Sequence, residues 1–373
     1  MLNGIHLTLM IGPAVPIPAP QSVMDALASI QVNSGGQRSG FQLTFNVSKN
    51  SLLLTTLLPA GYFDPISTRV VIIVTLGGFP NVIMDGIVTR QEMQSSNEPG
   101  QSTLTVTGED LSVLMDVIHI RRPLPMPDVA KIFTVLAPYA AFGIVPLVIP
   151  PFIPVLELVT RGWRSQNETD RSYLQRVARD NGFVFYIEPG PLPLQSIAYF
   201  GPDINVPIPQ HALSTNMDGN SNVDSLSFSL DGMAKKIRIY IVNDPITRKI
   251  PIPIPVPNIN AFKPPLGLRP TLPARLEFAD DVAGNQPDEA AQSILASLMN
   301  NSDAISASGS LDVLRYGHVL RARLLVGVRG AGTAYDGMYY VNSVTHNIKR
   351  GEYKQNFQLS RDGLISNTPK VLP

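Results

Sequence analysis

Asn167-Glu-Thr-Asp-Arg-Ser-Tyr-Leu-Gln-Arg-Val-Ala-Arg-Asp-Asn-Gly-Phe-Val-Phe-Tyr-Ile187 reads as a polar cap, a short amphipathic helix, a glycine stop and an aromatic strand. Asn167 or Thr169 can accept from the orphan amides of the first helical turn. Tyr173, Leu174, Val177 and Ala178 make one apolar stripe at helical spacing, and Gly182 supplies the left-handed residue that ends the helix. Phe183 to Ile187 then reads as strand. Arg171, Arg176 and Arg179 fall outside the stripe, which predicts a solvated or intersubunit face for them.

Outward from this unit, the chain has 373 residues, enough for two or three domains, and its 29 basic residues balance 29 acidic ones. Without a basic block there is no electrostatic case for nucleic-acid binding. The absence of cysteine excludes disulfides, thiolate metal sites and a thiol nucleophile, and fits synthesis in the cytosol. Met1 to Met10 lacks the features of a signal peptide, so Sec-type export is not expected. The longest apolar stretch, 144–159, carries prolines at 146, 150, 151 and 154, which no membrane-spanning helix tolerates. The 34 prolines cluster, and Ile250-Pro-Ile-Pro-Ile-Pro-Val-Pro257 favours an extended polyproline-like backbone. Such apolar loops pack either on their own domains or between subunits and partners.

The two ends of the chain look alike. Met84-Asp-Gly-Ile-Val-Thr-Arg and Tyr335-Asp-Gly-Met-Tyr-Tyr-Val each read as an Asp-Gly opening a strand, with turn glycines at 100 and 351 before a second strand. Apolar strands, Arg69 to Leu76 and His318 to Val326, precede the two copies. Phe41 to Val47 fits the first copy, and Leu226 to Leu230 and Lys236 to Val242 the second. The pattern predicts two related small antiparallel barrels or curled sheets. Between them, Pro127 to Ala137 predicts a helix with Val129, Ile132, Phe133 and Leu136 on one face, ended by Pro138. Pro287 to Met299 predicts another, apolar at Ala290, Ala291, Ile294, Leu295 and Leu298. Asn216 to Asn222 and Ser302 to Ser310 read as surface loops.

Chemistry is hard to find. His6, His119, His211, His318 and His346 show no metal-ligand spacing, and His346 in a strand reads as structural. Gly327-Val-Arg-Gly-Ala-Gly332 lacks the Lys-Ser/Thr of a phosphate loop and reads as a hairpin turn. Of the carboxylates Glu109-Asp110, Glu157, Glu168, Asp170, Glu277, Asp280-Asp281 and Asp288-Glu289, most sit at strand ends or helix starts, where solvation or capping explains them. No catalytic, cofactor-binding or metal residue is assigned.

Taken in order, four segments resemble the phage late control D family, the hub proteins of contractile tails and related injection systems. They are the helix around Asp128 to Leu136, the Trp163 to Phe183 segment, the Ala-rich helix near Glu289, and the closing hairpin Tyr340 to Arg361. The second is similar to that family's capped S-D-x-x-F-L-x-R-L-A-x-x-x-G element. The resemblance covers the chain from about Phe41 to Leu364. It implies a mainly β fold with α+β insertions: two related small antiparallel β-barrel domains, the tandem-barrel tail hub fold, plus short helices. Residues 1–115 would be the first barrel, 116–222 a helix-containing insertion with Pro-rich loops, and 223–373 the second barrel, itself carrying a Pro-rich loop and helical insertion at 251–310.

The same resemblance implies a structural baseplate hub, not an enzyme and without cofactors. It would be a homotrimer of six barrels, adapting a sixfold inner tube to a threefold spike. Because the chain stops at Pro373 without a β-helical extension, the spike protein is expected to be a separate polypeptide. The other expected partners are the inner tube protein and baseplate wedge components, with no nucleic acid as a specific ligand and no transmembrane segment. The chain would be made in the bacterial cytoplasm and end in a phage tail or an extracellular or cell-anchored contractile injection particle. Two alternatives stand beside this: a tail-associated cell-wall hydrolase using Glu157 or Glu168, and a β-rich receptor- or glycan-binding module. Trp163, beside the capped helix, is expected in a core.

Overall fold

Alternating apolar residues build the first repeat as β1 (Ile5–Pro13), β2 (Ile17–Pro18), helix α1 (Gln21–Ala26), β3 (Leu27–Gly35), β4 (Gly40–Val47), β5 (Thr68–Leu76), β6 (Phe79–Gln94) and β7 (Ser102–Asp110). The computed structural model describes residues 4–368 except 14, 37, 99–100, 153–164, 205, 244–250, 257–262, 279–286 and 300–302. These first strands pair antiparallel in the order β3-β4-β7-β6-β5-β1-β2. The continuous apolar run Val70 to Val74 reflects burial of β5 on both faces.

The middle of the chain forms β8 (His119–Pro123), α2 (Asp128–Leu136), β9 (Ile144–Val148), β10 (Ser165–Thr169), α3 (Asp170–Asp180), β11 (Phe183–Pro189) and β12 (Ser196–Pro202). β8 and β10 make a two-stranded ribbon, and β11-β12-β9 a small sheet. Leu136, Ile144, Leu174, Phe185 and Phe200 share its core with Leu111 and Met115. The expected face of α2 is rotated: Val135 is buried while Phe133 is half exposed, and Pro138 opens a 3-10 turn (Ala137–Phe142) instead of stopping the chain's coil. Lys131, buried on the same helix, neutralises Asp128 at 3.2 Å.

The last third contributes β13 (Val206–Ser214), β14 (Ser225–Leu230), β15 (Lys236–Asn243), β16 (Pro251–Val256), β17 (Gly267–Pro270), β18 (Arg275–Phe278) and α4 (Pro287–Met299). Then come β19 (Ile305–Asp312), α5 (Val313–Tyr316), β20 (Leu324–Arg329), β21 (Gly337–Lys349), β22 (Glu352–Arg361) and β23 (Gly363–Ser366). Here the order is β14-β19-β22-β21-β20-β13. It repeats β3-β4-β7-β6-β5-β1 strand for strand, except that β13 runs parallel to β20 where β1 runs antiparallel to β5.

The duplication extends to the residue. One row of facing residues runs Val32, Phe41, Gly108, Val88 across the first sheet, and another runs Phe228, Ala307, Leu359, Val341 across the second. Beside each row one extra residue bulges, Thr89 in β6 and Asn342 in β21. This register corrects the reading of the Asp-Gly pairs. Gly337 does open β21, but Asp85-Gly86 lies in the middle of β6, and Asp85 corresponds in register to Met338.

Three other expectations change. Of the expected loop Ser302 to Ser310, Ser302 lies outside the described residues and Ile305 to Ser310 is strand: Ile305, Ala307 and Leu311 alternate inward along β19, a central strand whose serines face out. His318 to Arg323 is not strand, because the Gln355 side chain takes the partner's place, accepting from Leu320 N at 3.0 Å and donating to its carbonyl at 2.8 Å. Lys236 to Val242 leaves the second repeat to form a separate sheet, β16-β15-β18.

The two repeats are joined. β3 pairs antiparallel with the C-terminal half of β21, from Gly35 opposite Ser343 to Ser29 opposite Lys349, so one 13-stranded sheet spans both. A single core follows it from Leu9, Leu43 and Val106 to Val326, Val344 and Phe357. Each half is a curled open sheet; among the described residues no pairing of β1 with β3, or of β13 with β14, closes a barrel.

Candidate interaction surfaces

The helix of the opening motif is fixed by polar groups more than by its stripe. Thr169, not Asn167, is the cap: its Oγ1 accepts from Ser172 N at 3.3 Å and donates to Asp116 at 2.6 Å. The buried Asp170 carboxylate accepts from Gln166 Nε2 at 2.6 Å, Tyr139 Oη at 2.9 Å and Arg122 at 3.1 Å. Burial of Tyr139 itself, and after it the hydrogen bond and charge of Asp170, push the Tyr139 hydroxyl up from its ordinary pKa. Arg171, expected on a solvated or intersubunit face, is instead buried within the chain and reaches Glu109 of β7 at 3.4 Å and Asp116 at 3.5 Å. Arg176 does remain partly exposed, pairing with Glu168 at 2.8 Å, and Arg179 is exposed. Gly182 adopts φ +69°, as its place in the motif requires, and a Cβ there would stand 2.6 Å from Ala296 Cα of α4.

A second anchor lies at the repeat itself. Arg69 of β5 holds Asp85 of β6 through two hydrogen bonds of 2.7 and 2.6 Å, both side chains being buried. Ser196 Oγ donates to the same carboxylate at 3.2 Å, and Arg69 donates to the Leu194 carbonyl at 3.3 Å. The ion pair therefore ties the β11–β12 hairpin to the first sheet.

Between the insertion and the second repeat, Tyr186 stacks on Tyr199 with ring centroids 5.1 Å apart, and the Arg323 guanidinium lies 3.6 Å above Tyr186. Clefts of about 300 and 220 Å³ flank this stack. Glu188 borders the smaller, its pKa raised by burial against the opposing pull of Arg323 and Arg321. In the smaller cleft Ser34 Oγ stands 3.5 Å from His346 Nε2 while donating to the Val344 carbonyl at 3.2 Å.

Two further candidate carboxylates are held by partners. Asp110 accepts from Ser39 N and Ser112 N, both at 2.9 Å, and Glu277 pairs with Lys236 at 2.7 Å. Glu157, Asp280, Asp281 and Trp163 lie outside the described residues, as do the side chains of Asp288 and Glu289. His346 is buried beside Tyr353 at 2.8 Å and Gln355 at 3.2 Å. Because Leu320 fixes the Gln355 amide, its Nε2–H faces Nδ1, so that ring nitrogen is the acceptor. Burial, and Arg321 secondarily, push the imidazole pKa down to about 3. His211 and His318 stack at 3.5 Å. Among the described residues no three His, Asp or Glu side chains group so as to hold a metal, and no helix is long and apolar enough to cross a membrane.

What the surface offers is strand edges and apolar side chains. Leu272, Leu276 and Phe278, on and just before the edge strand β18, are 84, 71 and 66 % exposed. The Pro-rich run at 251–256 is not a free polyproline helix: Ile252, Ile254 and Val256 alternate with prolines in β16, paired to β15. The period of two puts every missing N–H on one edge, which blunts that edge against further pairing.

Neither a protein-family model nor a curated protein matches the sequence. Solved structures do. A tail protein from Neisseria meningitidis MC58 matches with TM-score 0.60 at 14 % identity, over 97 % of this chain and 98 % of that one. The 43 kDa tail protein of prophage MuSo2 from Shewanella oneidensis matches with TM-score 0.61 at 13 % identity, over 96 % and 99 %. The Francisella PdpA-VgrG complex matches with TM-score 0.59 at 9 % identity, over 100 % of this chain and 60 % of that one. The chain has the fold shared by phage tail proteins and a VgrG protein, mainly β with short helices.

Proposed function

We propose that this chain is the structural hub of a phage-tail or contractile-injection baseplate, a homotrimer that joins a sixfold inner tube to a threefold spike. The observation that carries the reading is the duplication: one chain presents two sheets of the same strand order, register and bulge. Three such chains offer six similar units to a tube while keeping true threefold symmetry toward a spike. The tail-protein likeness supports the class, and the exposed strand edges and apolar side chains supply surfaces for a separate spike, the tube protein and wedge components. The function is binding and symmetry adaptation, with no turnover.

Imaging of the assembled particle tests this. Three copies between tube and spike are expected; density for the chain at a fibre or collar would overturn it. Purified chain incubated with peptidoglycan should release no fragments, and release would restore a hydrolase reading.

A further inference from the structure

The larger cleft beside Tyr186, about 300 Å³, holds more hydrogen-bond donors than the chain itself uses. It lies between α3 and β11 of the insertion and β21 of the second repeat, and Ala178, Phe183 and Phe185 make part of its lining apolar. Arg323 reaches it from a strained backbone. Its φ of +64° is left-handed, a conformation that a residue with a Cβ keeps only where its surroundings impose it; here its N–H donates to the Val341 carbonyl at 2.7 Å. The guanidinium stands 3.6 Å above Tyr186 and gives one Nη2 hydrogen bond to the Gly36 carbonyl. Its other N–H groups have no acceptor among the described residues.

Two further donors line the same space. Arg179, in the last turn of α3, is exposed and makes no ion pair among the described residues. Asn342, the residue that bulges out of β21, accepts from Ser360 Oγ at 3.0 Å through its Oδ1, which leaves its Nδ2 donors unspent. Acceptors are scarce. The cleft has one carboxylate among the described residues, Asp203, and that one is taken: Lys263 pairs with it and Tyr340 Oη donates to it at 3.4 Å. Glu188 borders only the smaller cleft. Two arginines and an amide therefore face a space whose own negative charge is already neutralised, beside aromatic rings.

We infer that this cleft binds the carboxyl terminus of a partner polypeptide that ends in an apolar residue. A guanidinium holds a planar carboxylate through two parallel bonds, and the Asn342 amide adds a third donor. The terminal side chain, carried on the same Cα as the carboxylate, packs against Phe183 and Phe185. An internal Asp or Glu suits the cleft less, because its charge stands at the tip of a side chain while the backbone has to continue in both directions. Inorganic phosphate has nothing to set against the aromatic rings. Capture of a chain end is a recurring mode of peptide recognition. The site goes beyond the hub reading and does not depend on copy number or symmetry.

Ligand-observed NMR on the full-length chain tests it, with N-acetylphenylalanine as the probe. A ligand of this size should bind with a Kd on the order of a millimolar. N-acetylphenylalaninamide, which lacks the negative charge, should bind at least about tenfold more weakly, and Arg179→Gln and Arg323→Gln should each weaken the acid by about tenfold. Arg179 is exposed, so its variant should melt at the parent temperature, which separates lost binding from lost folding. Acetyl-triglycyl-phenylalanine, a chain end in miniature, should bind at least as tightly as the single residue. No binding of the acid at about 10 mM, or equal binding of acid and amide, overturns the site. Displacement of the probe by an equal concentration of inorganic phosphate would make it a general anion site and overturn the carboxylate assignment. Exclusion of the longer peptide while the single residue binds would make it a pocket for a small free carboxylate and overturn the chain-end assignment.

Discussion

Arg69 and Asp85 show how a buried charge acts in this chain. The guanidinium and carboxylate satisfy each other in two bonds, and Ser196 and the Leu194 carbonyl take up further donors and acceptors, so neither charge lacks a partner out of water. Asp85→Ala should therefore lower unfolding free energy by about 3–5 kcal/mol in denaturant titration, and Arg69→Met with Asp85→Leu should recover most of that. A single variant within error of the parent would refute the anchor. His346 gives the pH dependence. Its folded pKa is depressed, so between about pH 6.5 and about 3 the unfolded chain binds the extra proton. The stability this supplies is complete above about pH 6.5 and declines as pH falls through that window. His346→Gln should flatten this part of the stability-against-pH curve; an unchanged slope would contradict the buried neutral ring.

Among elements, α3 was readable because capping, stripe and glycine stop are all local in sequence. What it packs on was not. Gly182→Ala should cost at least about 2 kcal/mol, since the new Cβ meets the backbone of α4 as well as an unfavourable φ; thermal melting reads the loss. β16 makes the opposite point. Its alternating prolines look like a polyproline segment by composition and form a paired strand because the period of two leaves the inner donors intact. Replacing Pro253 and Pro255 by Val should restore outward N–H groups and increase concentration-dependent association, measured by light scattering. No increase would mean that the edge is covered by something other than proline chemistry.

For the whole molecule, the β3–β21 joint decides whether there are two domains or one continuous sheet. Gly35 is its tightest point: a Cβ there would come 2.3 Å from the Asn342 carbonyl oxygen, at φ +99°. Gly35→Val should loosen the two repeats, turning one cooperative unfolding transition into two; a single transition at reduced temperature would show that the shared core couples them without the joint. The sequence alone carried the β-rich class, the capped helix, the glycine stop and the fact of a duplication, since these depend on residue type at short spacing. The same short-range reading misaligned the copies by their Asp-Gly pairs, took serine-rich β19 for a loop and placed Arg171 on a solvated or intersubunit face. Each of those errors concerns a partner far along the chain: the register set by the Thr89 and Asn342 bulges, the strands on both sides of β19, the carboxylates Glu109 and Asp116. Only the tertiary structure decides such pairings, because hydrogen-bond register and burial are properties of what a residue faces and not of the residue itself.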